Sequence, residues 1–184
     1  EWRQIRTLSA EYLRTPRILA VVKADGYGHG MIQVADQLKK AGVGFFGVSE
    51  VYEGIAMRKH GIKFPILVLE SPLSNQIKDI VDHNLRASVC TVSAAKALNS
   101  YARSVKKKAV VHIKVDTGMG RLGVWHTEAA DFIRSVRSLK HVDVEGVYTH
   151  FPVADTSTAF TQNQIHQFTQ VISALDEDGV VIPY

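Results

Sequence analysis

An α/β fold built on a parallel sheet is what this chain of 184 residues predicts. Short apolar runs of strand character alternate with stretches whose apolar residues recur at helical spacing, and the connections between them are short. The composition agrees: 46% of residues are hydrophobic and 22% charged, which marks a globular protein and excludes disorder. At this length the chain reads as one domain, at most one and a fraction.

Taken in order, the candidate strands are 18–22, 45–48, 66–69, 85–90, 110–115, 142–148 and the terminal 180–182. Helical stripes lie between them. Met31, Val34, Ala35 and Leu38 share one face, and Gly42 suits a stop. Ala94, Leu98, Tyr101, Ala102 and Val105 form a second stripe, Phe132, Val136 and Leu139 a third, and Ile165, Phe168, Ile172 and Leu175 a fourth. Their aromatic members read as core rather than as stacking partners for a cofactor. The basic run Lys106-Lys107-Lys108 follows the second stripe and reads as a solvated helix C-terminus, where cations meet the negative end of the helix dipole.

This gives six strand–helix units and the beginning of a seventh. Periodicity does not decide between a doubly wound sheet and a barrel. No Gly-x-Gly-x-x-Gly opens a helix with an acid about 20 residues on, so a dinucleotide fold has no fingerprint here. A complete eight-stranded barrel takes about 250 residues, more than the chain supplies.

Composition narrows the function classes. The net charge of +4 suits an anionic small ligand but is weak support for nucleic acid. Cys90 is the one cysteine, which excludes an intrachain disulfide and a cysteine metal cluster, and fits a reducing, cytoplasmic setting. In its apolar run Cys90 reads as a packing residue. No run approaches the roughly 18 apolar residues of a membrane span, and no signal-peptide pattern opens the chain. The first residue is not methionine, so a processed or excised piece is the expectation.

Three segments carry chemistry. In Ala20-Val21-Val22-Lys23-Ala24-Asp25-Gly26-Tyr27-Gly28-His29-Gly30 an apolar strand delivers one lysine to its end, and a glycine-rich loop follows with a tyrosine four residues on. A lysine that forms a Schiff base needs a desolvated amine on a rigid element, and Lys23 meets both conditions. Glycines at 26, 28 and 30 let the backbone approach a bulky ligand, and Tyr27 has a hydroxyl to donate to a phosphate. An ordinary strand-end lysine before a turn is the competing reading. In the second segment, His112 to Gly123, strand alternation puts His112, Lys114 and Asp116 on one face. The glycines at 118 and 120 make a tight loop that presents Arg121, a residue suited to a carboxylate or phenolate because its fork bonds in two places. A surface pair of Arg121 with Asp116 stands equally as the alternative. In the third segment, Val144 to Phe151, a strand delivers His150, which alone reads more readily as structural than catalytic.

Together the three segments resemble the alanine racemase family in order, spacing and wording, and the stretches Gly47-Val48-Ser49-Glu50 and Pro65-Ile66-Leu67-Val68-Leu69-Glu70 do so too. The resemblance covers nearly the whole chain from about Arg17 onward. It implies a (β/α)8 TIM-type barrel, incomplete, with six to seven units in residues 1–184 and a C-terminal β domain outside them. It implies pyridoxal 5′-phosphate as cofactor and the interconversion of L- and D-alanine for the bacterial cell wall. Lys23 would then hold the cofactor and act as one of two bases, and Tyr27 would contact the phosphate. Arg121 would sit by the phenolic oxygen and the substrate carboxylate, and His150 by the pyridine ring. Lys114 matches a position that carries a carbamate in many members.

The serine-bearing phosphate loop, the arginine facing the pyridine nitrogen and the second base (a tyrosine contributed across a homodimer interface) would belong to residues beyond Tyr184. The chain alone is therefore expected to be inert. The strand that usually precedes the first helix reads as shortened or lost. The rival readings are a racemase of serine or another amino acid on the same fold, and a non-catalytic single barrel that carries the cofactor. A decarboxylase of that fold suits the Gly-Tyr-Gly-His-Gly loop poorly.

Overall fold

The computed structural model of the chain describes residues 18–184, so the expectation about the strand before the first helix lies outside the described residues. Seven parallel strands form: β1 (Leu19–Val21), β2 (Phe45–Val48), β3 (Ile66–Val68), β4 (Arg86–Val89), β5 (Ala109–Asp116), β6 (Val124–Trp125) and β7 (Val142–Tyr148). The main sheet runs β1-β2-β3-β4-β5-β7, and β6 pairs only with the C-terminal end of β5. Between the strands lie α1 (Met31–Lys40), α2 (Val51–Lys59), α3 (Ile77–Asp82), α4 (Val92–Ser104), α5 (His126–Arg137) and α6 (Thr158–Glu177).

Strand alternation sends Val111, Ile113 and Val115 outward into the apolar layer under the helices. His112 points the other way and meets rings from distant elements. Its centroid lies 5.6 Å from Phe45 on β2 and 6.2 Å from Tyr184. A sheet whose second and fifth strands touch through their inner faces is curled, which decides for a barrel over a doubly wound sheet. Among the described strands the barrel is open, an incomplete (β/α)8 barrel.

Three sequence expectations shift. The strand expected at 180–182 does not form there. The chain joins the sheet at Tyr184, whose carbonyl accepts from Val147 N–H (2.9 Å) and whose N–H donates to Glu145 O (3.1 Å), the two bonds of a parallel ladder. The two-residue β6 is an addition, too short to show any period. On α6 the buried face runs through Gln164, Val171 and Leu175, while Ile165 is 47% exposed. Gln164 takes the slot that periodicity assigns to Ile165 because its amide bonds Thr117 Oγ1 and His150 O, both at 3.2 Å.

The barrel floor is ionic. A β-bulge where β7 faces Val111 and His112 inserts an extra residue, so Glu145 and Gly146 both turn inward. A Cβ on Gly146 would stand 2.4 Å from the His112 ring, so only glycine fits. Arg86 grips Glu145 through Nε and Nη2, each at 3.1 Å, and His112 Nε2 lies 3.0 Å from the same carboxylate. Burial works to raise the Glu145 carboxyl, but the bonds from His112 and Arg86 outweigh it and hold it at about 2. A carboxyl held below its unfolded value stabilises the fold above about pH 4.5, and the stabilisation is lost as pH falls through about 2. Glu145→Gln should therefore flatten the acid limb of stability across that window, at a scale of about 3 kcal/mol or less. Denaturant titrations at pH 2 to 5 measure it, and an unchanged acid limb in the variant would show that other carboxyls control it.

Candidate active site

All five residues singled out by sequence meet at the C-terminal mouth of the barrel. Lys23, Tyr27, Lys114, Arg121 and His150 line one cavity of about 850 Å³. They arrive from three strands: Lys23 and Tyr27 from the segment after β1, Lys114 and Arg121 from β5 and its loop, and His150 from the end of β7.

Lys23 stands two residues past the end of β1, where Val22 N–H still donates to Gly47 O (2.8 Å). The chain then enters a left-handed turn. Ala24, Asp25, Gly26 and Tyr27 have φ of 51°, 53°, 64° and 55°. Left-handed geometry costs a non-glycine L-residue roughly 1–2 kcal/mol, so the three non-glycine residues need restraint from outside. Asp25 Oδ1 supplies it at the exit, accepting Met31 N–H at the start of α1 (2.8 Å). Glu53 Oε1 supplies it at the entry, accepting Ala24 N–H (2.7 Å). Gly26 N–H returns to Val22 O (2.9 Å) and Gly30 N–H to Asp25 O (2.8 Å).

Lys114 is buried on β5, with its amine 5.6 Å from the Tyr148 ring centroid. Burial first, then the charges of Arg121 and Lys23, push the Lys114 amine below its ordinary value. Arg121 rides on the loop between β5 and β6. Asp116 does not pair with it in a surface bridge: its carboxylate accepts the N–H groups of Gly118 (2.8 Å) and Gly120 (2.9 Å), folding the loop that presents Arg121. Desolvation, then the cations Lys114, Arg121 and Lys23, push the His150 imidazole down. At the N-terminus of α2, burial and then the charge of Glu70 raise the Glu50 carboxyl.

Among the described residues, none of the salt bridges involves Lys23, Lys114 or Arg121. Three cations converging on one cavity without a paired acid make a site for a ligand with several negative charges. A phosphate-bearing aldehyde fits that donor set. It offers anionic oxygens to the cations and a carbonyl to an amine held at a strand end.

The family model described as "Alanine racemase, N-terminal domain" matches residues 1–184. The chain belongs to the alanine racemase N-terminal domain family. It is 40% identical over 166 residues to alanine racemase of Geobacter sulfurreducens, covering 88% of this chain and 44% of that protein. Alanine racemase of Symbiobacterium thermophilum is 40% identical over 168 residues, covering 91% and 45%. Among solved structures, alanine racemase of Clostridium difficile 630 in complex with cycloserine superposes with a TM-score of 0.91 at 34% identity, over 99% of this chain and 50% of that one. Histidine racemase from Leuconostoc mesenteroides superposes with a TM-score of 0.78 at 26% identity, over 83% and 42%. The chain spans about half the length of the relatives it matches.

Within this alanine racemase N-terminal domain, three groups around the mouth escape sequence reasoning. Tyr148 places its hydroxyl 2.6 Å from Ser88 Oγ, and burial pushes its phenol up to about 12. Gln164 ties the loop after β5 to the one after β7. Glu53 holds the lysine-bearing turn. An acid three residues after Glu50 at a strand–helix junction was the available signal, and it reads only as a helix cap.

Proposed function

We propose that this chain is the barrel domain of an alanine racemase, an isomerase that interconverts L- and D-alanine and supplies D-alanine for peptidoglycan in the bacterial cytoplasm. The observation that carries this reading is the convergence of Lys23, Lys114 and Arg121 on one cavity, without a paired acid among the described residues, in a chain of this family. Residues 1–184 would form the N-terminal domain of the site, and a C-terminal β domain from the second subunit of a homodimer would complete it.

Pyridoxal 5′-phosphate, when bound, supplies an electron sink for the pair left behind by the α-proton. Lys23 would hold the cofactor covalently and carry a proton to and from one face of the α-carbon. Tyr27 would donate its hydroxyl to the phosphate, and His150 would flank the ring. Arg121 would meet the phenolic oxygen and the substrate carboxylate with its fork. Inversion needs a proton donor on each face, and Lys23 serves one; the other would come from the partner's C-terminal domain.

Lys114 fits a carbamate. Its lowered amine favours the neutral form, which is the nucleophile toward carbon dioxide. The ammonium would first give up one proton; the neutral amine would then form an N–C bond to carbon dioxide and release a second, so that a cation becomes an anion beside Arg121.

Borohydride reduction of the intact protein with pyridoxal phosphate tests the reading. The label should map to the peptide containing Lys23, and a label on another lysine would overturn the assignment. A racemase for another amino acid is the second reading, favoured by the likeness to histidine racemase. Chiral analysis across an amino-acid panel separates the two.

A further inference from the structure

Glu53 does not line the cavity, yet it is 4% exposed and engages both carboxyl oxygens with backbone donors. Oε2 accepts Ser49 N–H (2.8 Å) and Glu50 N–H (3.0 Å), at the end of β2. Oε1 accepts Ala24 N–H (2.7 Å), at the end of β1. The bond to Glu50 is the ordinary reach of a third helical residue back to its cap. The bond to Ala24 crosses 29 positions of sequence and has no part in capping α2.

Ala24 is the peptide immediately after Lys23 and the first residue in the left-handed region. A carboxylate there fixes the point at which the chain leaves the sheet. Asp25 fastens the exit of the turn through Met31 N–H. Between the two anchors the backbone is over-determined, which is the condition for strained geometry to persist. The direction of the Lys23 side chain and its separation from Tyr27 follow from that turn.

We propose that Glu53 is a positioning residue for Lys23. By binding the N–H of Ala24 to the end of β2, it holds the strained turn that aims the Lys23 amine and the Tyr27 hydroxyl at one ligand. The inference rests on the reading of Lys23 as the cofactor lysine. Gln in place of Glu53 keeps the size but turns an amide toward backbone donors, so Ala24 N–H or the pair at Ser49 and Glu50 loses its acceptor.

The test uses the intact protein and Glu53→Gln with pyridoxal phosphate as probe. The variant should bind the cofactor about 10- to 100-fold more weakly and lose kcat more than KM for alanine. At saturating cofactor its visible circular dichroism should shrink relative to its absorbance, because the ring is no longer held in one orientation. Amide exchange at Ala24 and Met31 in the cofactor-free protein should accelerate. If Glu53→Gln fails to fold, Glu53→Asp keeps the charge, withdraws the oxygens by one methylene and faces the same measurements. A variant that only melts earlier, with unchanged affinity and dichroism, overturns the proposal while leaving the assignment of Lys23 intact. Wild-type protein that leaves Lys23 unlabelled after borohydride overturns both.

Discussion

Lys23→Ala should abolish racemisation in the intact protein, by about 10³-fold or more, while leaving the fold in place. Both halves of that expectation come from the same geometry. The Lys23 side chain lines the cavity and takes part in none of the bonds that hold the turn. Those bonds are made by the backbone and by Glu53 and Asp25, so truncating Lys23 removes no structural partner. Stability by denaturant should change by less than about 1 kcal/mol, the ordinary range for a partly exposed site. Activity should vanish because, among the described residues, the only other amine on this cavity is Lys114, which is buried against Tyr148. Chiral analysis of L-alanine measures the first half and a denaturation curve the second. Retained turnover in a folded variant would move the covalent role away from Lys23.

What the sequence made legible is what repeats or what is chemically singular. Strand–helix alternation located all six main-sheet strands nearly to the residue, because each carries a short apolar run, fully buried in β2 and β3. Closure was not legible, since it depends on Phe45, His112 and Tyr184 meeting across the sheet, and no local pattern encodes that meeting. His112 lies on the polar face that alternation assigns it, but at the floor with Glu145 rather than at the mouth with Lys114. The glycines of the Lys23 loop signalled unusual backbone. They gave no sign that Ala24, Asp25 and Tyr27 adopt the same hand, because intrinsic preference opposes it and the bonds that overrule it, from Glu53, Asp25 and the turn's own backbone, are set by the folded chain. Gln164 was hidden for a related reason: a polar residue wins a buried slot from Ile165 only when its amide has partners, and those partners come from two other loops.

Lys114→Ala should cut activity by about 10²-fold in the intact protein, and acetate should restore part of it. A plain ammonium at Lys114 is buried and faces Arg121 and Lys23, both cations, and its amine is driven down by burial and by those neighbours in that order. A carbamate would reverse the sign and give Arg121 a charge-assisted partner, which would hold Arg121 where it could meet a phenolate and a carboxylate. Removing the side chain leaves a space beside Arg121 that a small carboxylate can enter, which is why acetate substitutes for the missing anion. The unmodified amine makes a second, signed expectation. Its folded value lies below the ordinary 10.5, so the unfolded chain binds more protons between the two values. In carbon dioxide-free buffer, wild-type stability should rise with pH across that window and level off near 10.5, and Lys114→Ala should lack the rise. Labelled bicarbonate should give a carbamate resonance in wild type and none in the variant. Full activity of Lys114→Ala without acetate would show that Arg121 needs no anion at this position.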